Sequence, residues 1–318
     1  MSMARVMGPG AAFALRGAKA GAGFWEGVFM GAMGYLSDAG SEAILLATRG
    51  GEVHQLRRNS QMNAYIINLD RAKDRWASVE QAFAETKFDV CRIAAVDGSA
   101  LATPIAGYSE GMYRWFHGRP TSVGHVGCYF SHIKALEAFL ATEDEHALIV
   151  EDDVTLSGDF EEAVQSALRF SKHWNVLRLT GLSNGTPAKV AELCADYGLY
   201  VGFGRLKGTG AYVLDRKAAR AWVGQLMPMR LPIDHAVDRE WFQGLRAMYV
   251  LPFPASQNEA GFRSSIHIGK TQKLSAMRRY IATYPYQAFN EVTRWLFRTV
   301  SYLRMRLGGA PVVAVKGA

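Results

Sequence analysis

Residues 147–154, "ALIVEDDV", join four apolar residues to three consecutive carboxylates, Glu151, Asp152 and Asp153. A continuous apolar run of this length is typical of a strand that is buried on both faces of a parallel sheet. Sheets of this kind bind ligands at the carboxyl ends of their strands. The stretch therefore predicts a central strand that carries three acids to the edge of a ligand crevice.

Strand and helix patterns alternate on both sides of this stretch. Strands are predicted at residues 64–69, 90–96, 147–150 and 175–179, and helices at residues 73–85, 124–140, 160–170 and 215–226. Residues 200–214 are predicted to form a β-hairpin that turns at "KGTG". Strands separated by helices of this length favour a Rossmann-like α/β fold, with a mainly parallel sheet flanked by helices.

The two ends of the chain differ in composition from its middle. Residues 1–61 are rich in Ala and Gly and have no helical or strand period, which predicts a loosely ordered extension and makes Met62 a candidate native start. Residues 62–268 are expected to form a single folded domain, and residues 269–318 a basic helical tail.

The tail has the pattern of a basic amphipathic helix. Residues 270–306 contain eight Lys or Arg residues and one acid, Glu291. Apolar residues recur at spacings of three and four, and Arg294 and Arg298 fall on the opposite face. Such a helix can lie in a membrane interface, or it can pack on the domain with a solvated basic face. Both interpretations predict that Arg294 and Arg298 face solvent.

Composition limits the classes of protein that fit. The formal charge of +7 predicts an anionic partner, which could be nucleic acid, a phosphate-bearing substrate or a membrane surface. Three cysteines without C-x-x-C spacing indicate neither a disulfide framework nor a zinc cluster. No apolar run reaches the roughly 18 residues of a membrane span, and no signal-peptide pattern is found. These features predict a cytoplasmic protein.

The acidic triplet predicts a site for a hard divalent cation. Alternation along an extended chain places Glu151 and Asp153 on one side and Asp152 on the other. Neighbouring carboxylates repel unless a cation compensates them, and Mg²⁺ or Mn²⁺ prefers oxygen ligands. The alternative is that the acids favour the helix dipole at residues 160–170, but Asp159 and the two glutamates after Phe160 already serve that purpose.

Two further groups of residues are candidates for ligand binding. Arg71 and Arg75 lie four apart on one predicted helical face after a strand end, where they could grip a diphosphate, and Asn68 could read a base or ribose. His125 and His132 lie seven apart on nearly the same face of another predicted helix. Either histidine could bind a metal, although a structural role is commoner for a histidine of this kind.

Seven motifs occur in an order that resembles glycosyltransferase family 25. They are "INLDRAKDR" (67–75), "AVDG" (95–98), "GHVGCYFSHIKALE" (124–137), "ALIVEDDV" (147–154), "GTGAYVLDRKAA" (208–219), "PIDHAVD" (232–238), and a late group of Gln257, Ser265 and Ile266. The family contains lipopolysaccharide and lipooligosaccharide sugar transferases and collagen galactosyltransferases. The resemblance covers about residues 63–268, and it implies a GT-A-like fold, a nucleotide-sugar donor and a divalent metal, Mn²⁺ or Mg²⁺.

The resemblance also implies roles for individual residues. The DXD-like metal site falls on Glu151, Asp152 and Asp153, with Asp153 as the first choice for coordination and Asp152 the least expected. The donor-binding positions fall on Asn68, Arg71, Arg75, Asp97, Gly98, His132 and Lys134. The sequence departs from the family at His125, where glutamate is usual, so no role is carried over to that position.

The reaction that the resemblance implies is inverting transfer of a hexose, with galactose favoured. The donor would be a UDP-sugar, and the acceptor a lipooligosaccharide, a lipopolysaccharide or a related glycan at the inner face of the cell membrane. Asp234 and Asp238, four apart on a predicted helix, are candidates for the general base, and Asp234 is favoured. The structural alternative is that Asp234 is an aspartate at a helix N-terminus, where the helix dipole stabilises its negative charge.

Two other functions compete with this prediction. The first is a non-catalytic, membrane-associated protein that binds a nucleotide sugar or a polyanion, although such a protein has less need of three acids. The second is a metal-dependent nuclease, but no Lys follows the acids at short spacing and no single-strand platform is evident. Nucleic acid is therefore not an expected partner.

Overall fold

The computed structural model describes residues 62–183, 185–257 and 275–307. The predicted extension at residues 1–61 lies outside the described residues, as do Ser265, Ile266 and both ends of the tail, residues 269–274 and 308–318.

A mixed sheet of eight strands lies at the centre of the described part of the chain, in the order β2-β1-β3-β8-β5-β9-β7-β6. The strands of this sheet are β1 (Asn63–Asn68), β2 (Asp89–Ala94), β3 (His146–Glu151), β5 (Val176–Arg178), β6 (Pro187–Glu192), β7 (Gly198–Gly202), β8 (Ala211–Asp215) and β9 (Ala247–Leu251). A separate antiparallel pair joins β4 (Val154–Leu156) to β10 (Ala255–Gln257).

Helices cover both faces of the sheet. They are α1 (Lys73–Ala84), α2 (Glu110–His117), α3 (Val123–Leu140), α4 (Phe160–Leu168), α5 (Arg216–Gln225), α6 (Ile233–Val237), α7 (Ala276–Arg278) and α8 (Tyr284–Leu307), with a π-helical turn at Arg279–Thr283 and 3-10 turns at Gly98–Ala100, Ser171–His173 and Glu240–Gln243. One apolar core packs α1 and α4 against one face of the sheet, and the other packs α3, α5 and α6 against the opposite face. None of the described helices combines the length and the apolar character needed to cross a membrane.

The strand β3 is central, as the "ALIV" run predicts. Its four apolar residues are fully buried. Even and odd positions contribute to opposite cores: Leu148 and Val150 face α1 and α4, whereas Ala147 and Ile149 face α3 and α5. The strand runs parallel to β1 and antiparallel to β8, and it ends at Glu151. The α/β prediction and the helix-flanked sheet are therefore confirmed, although antiparallel pairs enter the sheet from β8 onward.

The predicted hairpin at residues 200–214 is wrong. The strand β7 pairs with β6 and β9, whereas β8 lies between β3 and β5. The "KGTG" segment is therefore a crossing between distant strands, and Gly208 takes a positive φ of 93° within it. The missing partner of β7 is β6, a short strand without a clear alternation of apolar residues.

The prediction that Arg294 and Arg298 face solvent is also wrong. These residues of α8 are only 2% and 4% exposed. The Arg298 Nε donates to Glu240 Oε1 at 2.8 Å, and its Nη2 donates to Asp238 Oδ1 at 3.0 Å. Burial lowers the pKa of Arg298, but the Glu240 and Asp238 carboxylates outweigh burial and raise it. The helix therefore docks through its arginines, because buried carboxylates on the domain require positive partners.

Candidate active site

Three carboxylates lie where β3 ends, and their side chains have different surroundings. Asp152 is the most deeply buried of them, at 8% exposed. Its two oxygens accept hydrogen bonds from Asn68 Nδ2 and Arg75 Nη1, each at 2.7 Å. Burial raises the pKa of Asp152 by more than Arg75 and Asn68 lower it. Because both oxygens already have protein partners, Asp152 ties β3 to the end of β1 and to α1.

Glu151 is held by side chains from three other elements. Its Oε1 accepts from Thr209 Oγ1 at 2.6 Å and lies 3.2 Å from His132 Nε2, while Oε2 accepts from Gln257 Nε2 at 3.4 Å. Burial raises the pKa of Glu151, but the hydrogen bonds from His132 and Thr209 outweigh it, so the pKa lies below its ordinary value. Glu151 is therefore a carboxylate in a fixed position.

Asp153 has an oxygen that the described residues leave without a partner. Its Oδ1 is buried and accepts no hydrogen bond from them, and its Oδ2 lies 3.7 Å from Arg75 Nη1. Burial and repulsion by Glu151 and Asp152 raise the pKa of Asp153 to about 7. A buried anionic oxygen without a donor fits a hard cation such as Mn²⁺ or Mg²⁺, which would compensate the repulsion.

A different set of ligand atoms lies beside Glu151. One atom each from Cys128, His132 and Glu151 lies within 4.8 Å of the others. A mixed sulfur, nitrogen and oxygen set suits zinc better than Mg²⁺ or Mn²⁺. Burial raises the pKa of the Cys128 thiol well above its usual range, so the protonated form, which is a poor ligand, is favoured there. Among the described residues, the carboxylates of Asp153 and Glu151 therefore suit a hard cation better than the set that includes Cys128.

We expect Cys128→Ser to leave Mn²⁺ affinity within about twofold of the original, since a buried neutral thiol contributes little to a hard cation. Isothermal titration with Mn²⁺ measures this, and Zn²⁺ titrated in the same way reports on the mixed set. A large loss of Mn²⁺ affinity in Cys128→Ser would instead place the ion at Cys128, His132 and Glu151.

The predicted donor-side residues lie at the ends of β1 and β2 and on α3. Asn68 is buried, and its amide is fully used: besides Asp152 it donates to the Ala72 carbonyl, and its oxygen accepts from the Arg92 guanidinium. Arg71 is exposed and forms an ion pair with Asp97. The Arg71 side chain is more accessible to a ligand than that of Asn68. The role of Arg71 in donor binding stays a prediction.

Other predicted donor-side residues have structural contacts. A Cβ at Gly98 would lie 1.8 Å from the Val123 carbonyl oxygen, so only glycine allows this close approach to the start of α3. Lys134 Nζ donates to the Ala94 carbonyl at 2.8 Å. The His132 ring contacts Tyr212 Oη at 3.0 Å on the side away from Glu151. The structure thus makes His132 a positioning residue for Glu151.

The two candidate bases have opposite environments. Asp234 is half-buried at the start of α6, and its Oδ1 accepts from the His235 backbone N–H at 2.9 Å. Its charge, like those of Glu151 and Asp153, contributes to raising the pKa of the Cys128 thiol, although burial is the main cause. Asp238 is 3% exposed and lies between Arg294 and Arg298. Of the two carboxylates, that of Asp234 is the more exposed.

Four residues of the site were missing from the sequence-based candidates. Thr209 and Gln257 hold Glu151, Arg92 holds Asn68, and Arg178 is buried with its guanidinium donating to the Gly208 carbonyl. Thr209 and Gln257 belong to motifs that the resemblance includes, so those motifs carried the signal. Arg92 and Arg178 lie in strands whose side-chain partners only the fold reveals.

Comparisons with known proteins show which family the chain belongs to. The chain matches the sequence model described as "Glycosyltransferase family 25 (LPS biosynthesis protein)" over residues 61–237. It is 31% identical over 113 residues to a "Glycosyltransferase 25 family member" of Aedes aegypti, covering 33% of this chain and 18% of that protein. It is 29% identical over 113 residues to mouse "Procollagen galactosyltransferase 2", covering 33% and 17%.

A third relative is matched over a longer stretch. The chain is 27% identical over 180 residues to the rat protein named "Probable inactive glycosyltransferase 25 family member 3", covering 54% of this chain and 31% of that protein. The chain thus spans less than a third of the length of each of these three relatives. The family match covers more than half of the chain and includes the acidic triplet and Asp234. This chain belongs to glycosyltransferase family 25.

Proposed function

We propose that this chain is a metal-dependent, inverting glycosyltransferase that moves a hexose from a UDP-sugar to a lipooligosaccharide, a lipopolysaccharide or a related glycan. The observation that carries the proposal is the buried Asp153 oxygen without a partner, next to a fixed Glu151 at the carboxyl end of β3. Galactose is the favoured sugar because the name of the mouse relative specifies galactosyl transfer.

Asp153 and Glu151 would hold Mn²⁺ or Mg²⁺, and the bound ion would stabilise the negative charge of the departing nucleoside diphosphate. Arg75, which already contacts Asp152 and Asp153, adds positive charge at the same edge of the sheet. Asp234 accepts the proton of the acceptor hydroxyl. At the same time the hydroxyl oxygen bonds to the anomeric carbon of the sugar, and the bond from that carbon to the diphosphate breaks. Asp238 takes no part in this step, because its carboxylate is enclosed by arginines.

A screen of nucleotide-sugar hydrolysis tests the proposal. We expect UDP-galactose to be consumed with Mn²⁺ and not with a chelator. A donor that binds without being consumed would favour the non-catalytic binding protein instead. If no nucleotide sugar either binds or reacts, the glycosyltransferase proposal is wrong.

We also propose that α8 attaches the protein to an anionic membrane surface. Val292, Trp295, Leu296, Val300 and Leu303 are each about half exposed, and Leu307 is 86% exposed. These residues recur every three or four positions and form one apolar face, opposite the docked arginines. Because Arg294 and Arg298 are fixed by buried carboxylates, the helix cannot rotate to bury that face.

The charges on the exposed side of α8 fit anionic lipid. Arg304 and Arg306 are exposed at its C-terminal end. Its one acid, Glu291, is already paired with Arg205 and Arg294. Exposed Trp295 adds an aromatic ring of the kind that favours the headgroup region. Apolar residues flanked by arginines are typical of helices that lie in the membrane interface.

We expect the double variant Leu296→Glu, Val300→Glu to bind vesicles with anionic lipid at least about tenfold more weakly, since each buried aliphatic side chain contributes about 1.5–3 kcal/mol. Co-sedimentation with vesicles measures the change. The matched control is Leu182→Glu, which alters an apolar residue that is 57% exposed elsewhere on the chain. Equal vesicle binding by the original chain and the double variant would refute the membrane role of α8.

A further inference from the structure

Two half-buried arginines next to α6 have no carboxylate partner among the described residues. Within the described part of the chain, neither Arg230 nor Arg239 forms an ion pair or a side-chain hydrogen bond, and the Nε of each is buried without a partner. The Arg239 guanidinium lies over the rings of Phe242 and Tyr286, at 4.6 and 5.2 Å from their centroids. Buried charge without compensation is costly, which indicates that an anion belongs nearby.

The neighbouring acids cannot supply the missing charge. Asp238 is shared by Arg294 and Arg298, Glu240 is bonded to Arg298, and Glu291 is shared by Arg205 and Arg294. Each of these carboxylates therefore already serves at least one arginine. The positive charge of Arg230 and Arg239 is left in excess.

Of these two arginines, Arg239 lines an open cleft between α2, α6 and α8. The lining also contains one acid, Asp238, which is already paired with Arg294 and Arg298. Other polar residues of the lining are Arg205, Arg294, His235, Tyr286 and Asn290. Three donors in this lining are buried without a partner among the described residues: Arg239 Nε, Arg294 Nε and Tyr286 Oη. Several unsatisfied donors around one space are the arrangement that an oxyanion would satisfy.

The cleft lies next to the residue that we propose as the general base. His235 lines the cleft, and Asp234 is the preceding residue of α6. The cleft and the proposed general base are therefore joined by adjacent residues of one short helix. The donor-side residues belong to other elements: Arg71 and Asp97 follow β1 and β2, and Arg75 lies in α1.

We propose that this cleft, with Arg239 in its lining, binds a phosphate or carboxylate group carried by the acceptor glycan. The inference rests on the proposed glycosyl transfer and adds a chemical class of acceptor to it. Burial lowers the pKa of Arg239, and the charges of Arg230 and Arg294 lower it further. A bound oxyanion would compensate the guanidinium of Arg239 and add to the compensation of Arg294, since both line the cleft.

Binding of inorganic phosphate to the full chain tests the site directly. UDP and Mn²⁺ are kept saturating, so that phosphate does not report on the donor site. We expect saturable binding by isothermal titration, and a Kd at least about tenfold higher in Arg239→Gln, as loss of a charge-assisted hydrogen bond predicts. The matched control is Arg220→Gln, an exposed arginine of α5, whose Kd should equal the original. Thermal unfolding of each variant checks that it is folded.

Acceptor kinetics separate this inference from the proposed transfer. With matched acceptors that carry a phosphate, a carboxylate or no charge, Arg239→Gln should raise KM for one anionic acceptor at least about tenfold and leave KM for the neutral acceptor unchanged. The acceptor that is affected identifies the anion, and hydrolysis of the donor alone should not change. Phosphate binding that is equal in Arg239→Gln and the original chain would overturn the anion site. If the original chain does not turn over any donor, the proposed function is wrong. The phosphate titration would still test the anion site in that case.

Discussion

Asp153→Asn should lower Mn²⁺-dependent consumption of the sugar donor by roughly 10²–10³-fold, the cost of removing a group that stabilises developing charge. The Asp153 Oδ1 has no partner among the residues that the structure describes, so the substitution breaks no described hydrogen bond at that oxygen. It also removes the repulsion that Glu151 and Asp152 exert on Asp153. We therefore expect the melting temperature to stay the same or to rise. Steady-state kinetics with varied Mn²⁺, together with thermal unfolding, measure both effects.

Two comparison variants make this expectation specific. Asp152→Asn should behave in the opposite way, because its carboxylate is bonded to Arg75 and Asn68: it should lower stability more than Asp153→Asn does. Asp196→Asn, which changes an exposed aspartate, is the matched control and should leave both quantities unchanged. Unaltered Mn²⁺ dependence in Asp153→Asn would show that the ion binds elsewhere.

The sequence predicts the centre of the sheet well because local pattern and tertiary environment agree there. The apolar run before Glu151 has the composition of a strand that is buried on both faces, and β3 is such a strand. Alternation also separates Asp152 from its two neighbours, and in the structure Asp152 is the one of the three that accepts hydrogen bonds from both Asn68 of β1 and Arg75 of α1. These features depend on a few adjacent residues and on no distant partner.

The failures have the opposite origin, since they depend on partners far away in the sequence. The strand β7 pairs with β6 and β9, and no local pattern near "KGTG" shows that β8 lies elsewhere in the sheet. Periodicity alone predicts that the arginine face of α8 is exposed to solvent. In the structure this face is buried, because Arg298 pairs with Asp238 and Glu240. The missing partners of Asp153, Arg230 and Arg239 likewise become visible only when the surrounding atoms are in place.

We expect the variants Asp234→Asn and Asp238→Asn to differ in their effects: the first should lower turnover, and the second should lower stability. Asp234→Asn should lower kcat by roughly 10²–10⁴-fold, the usual contribution of a general base. Its donor affinity and melting temperature should change little, because the one described contact of the Asp234 carboxylate is with the neighbouring His235 N–H, and asparagine retains an acceptor there. Steady-state kinetics with a saturating acceptor and donor measure the effect on kcat.

Asp238→Asn should instead lower the free energy of unfolding by about 3 kcal/mol or more, because it leaves buried guanidinium groups of Arg294 and Arg298 without part of their compensation. Denaturant unfolding measures this loss, and the fraction of molecules that remain folded should keep most of their turnover. Because these arginines fix α8 to the domain, the same variant should also loosen α8 and increase its cleavage by added protease. Near-normal turnover in Asp234→Asn combined with abolished turnover in folded Asp238→Asn would reverse the assignment, and would mean that α8 moves away from Asp238 during the reaction.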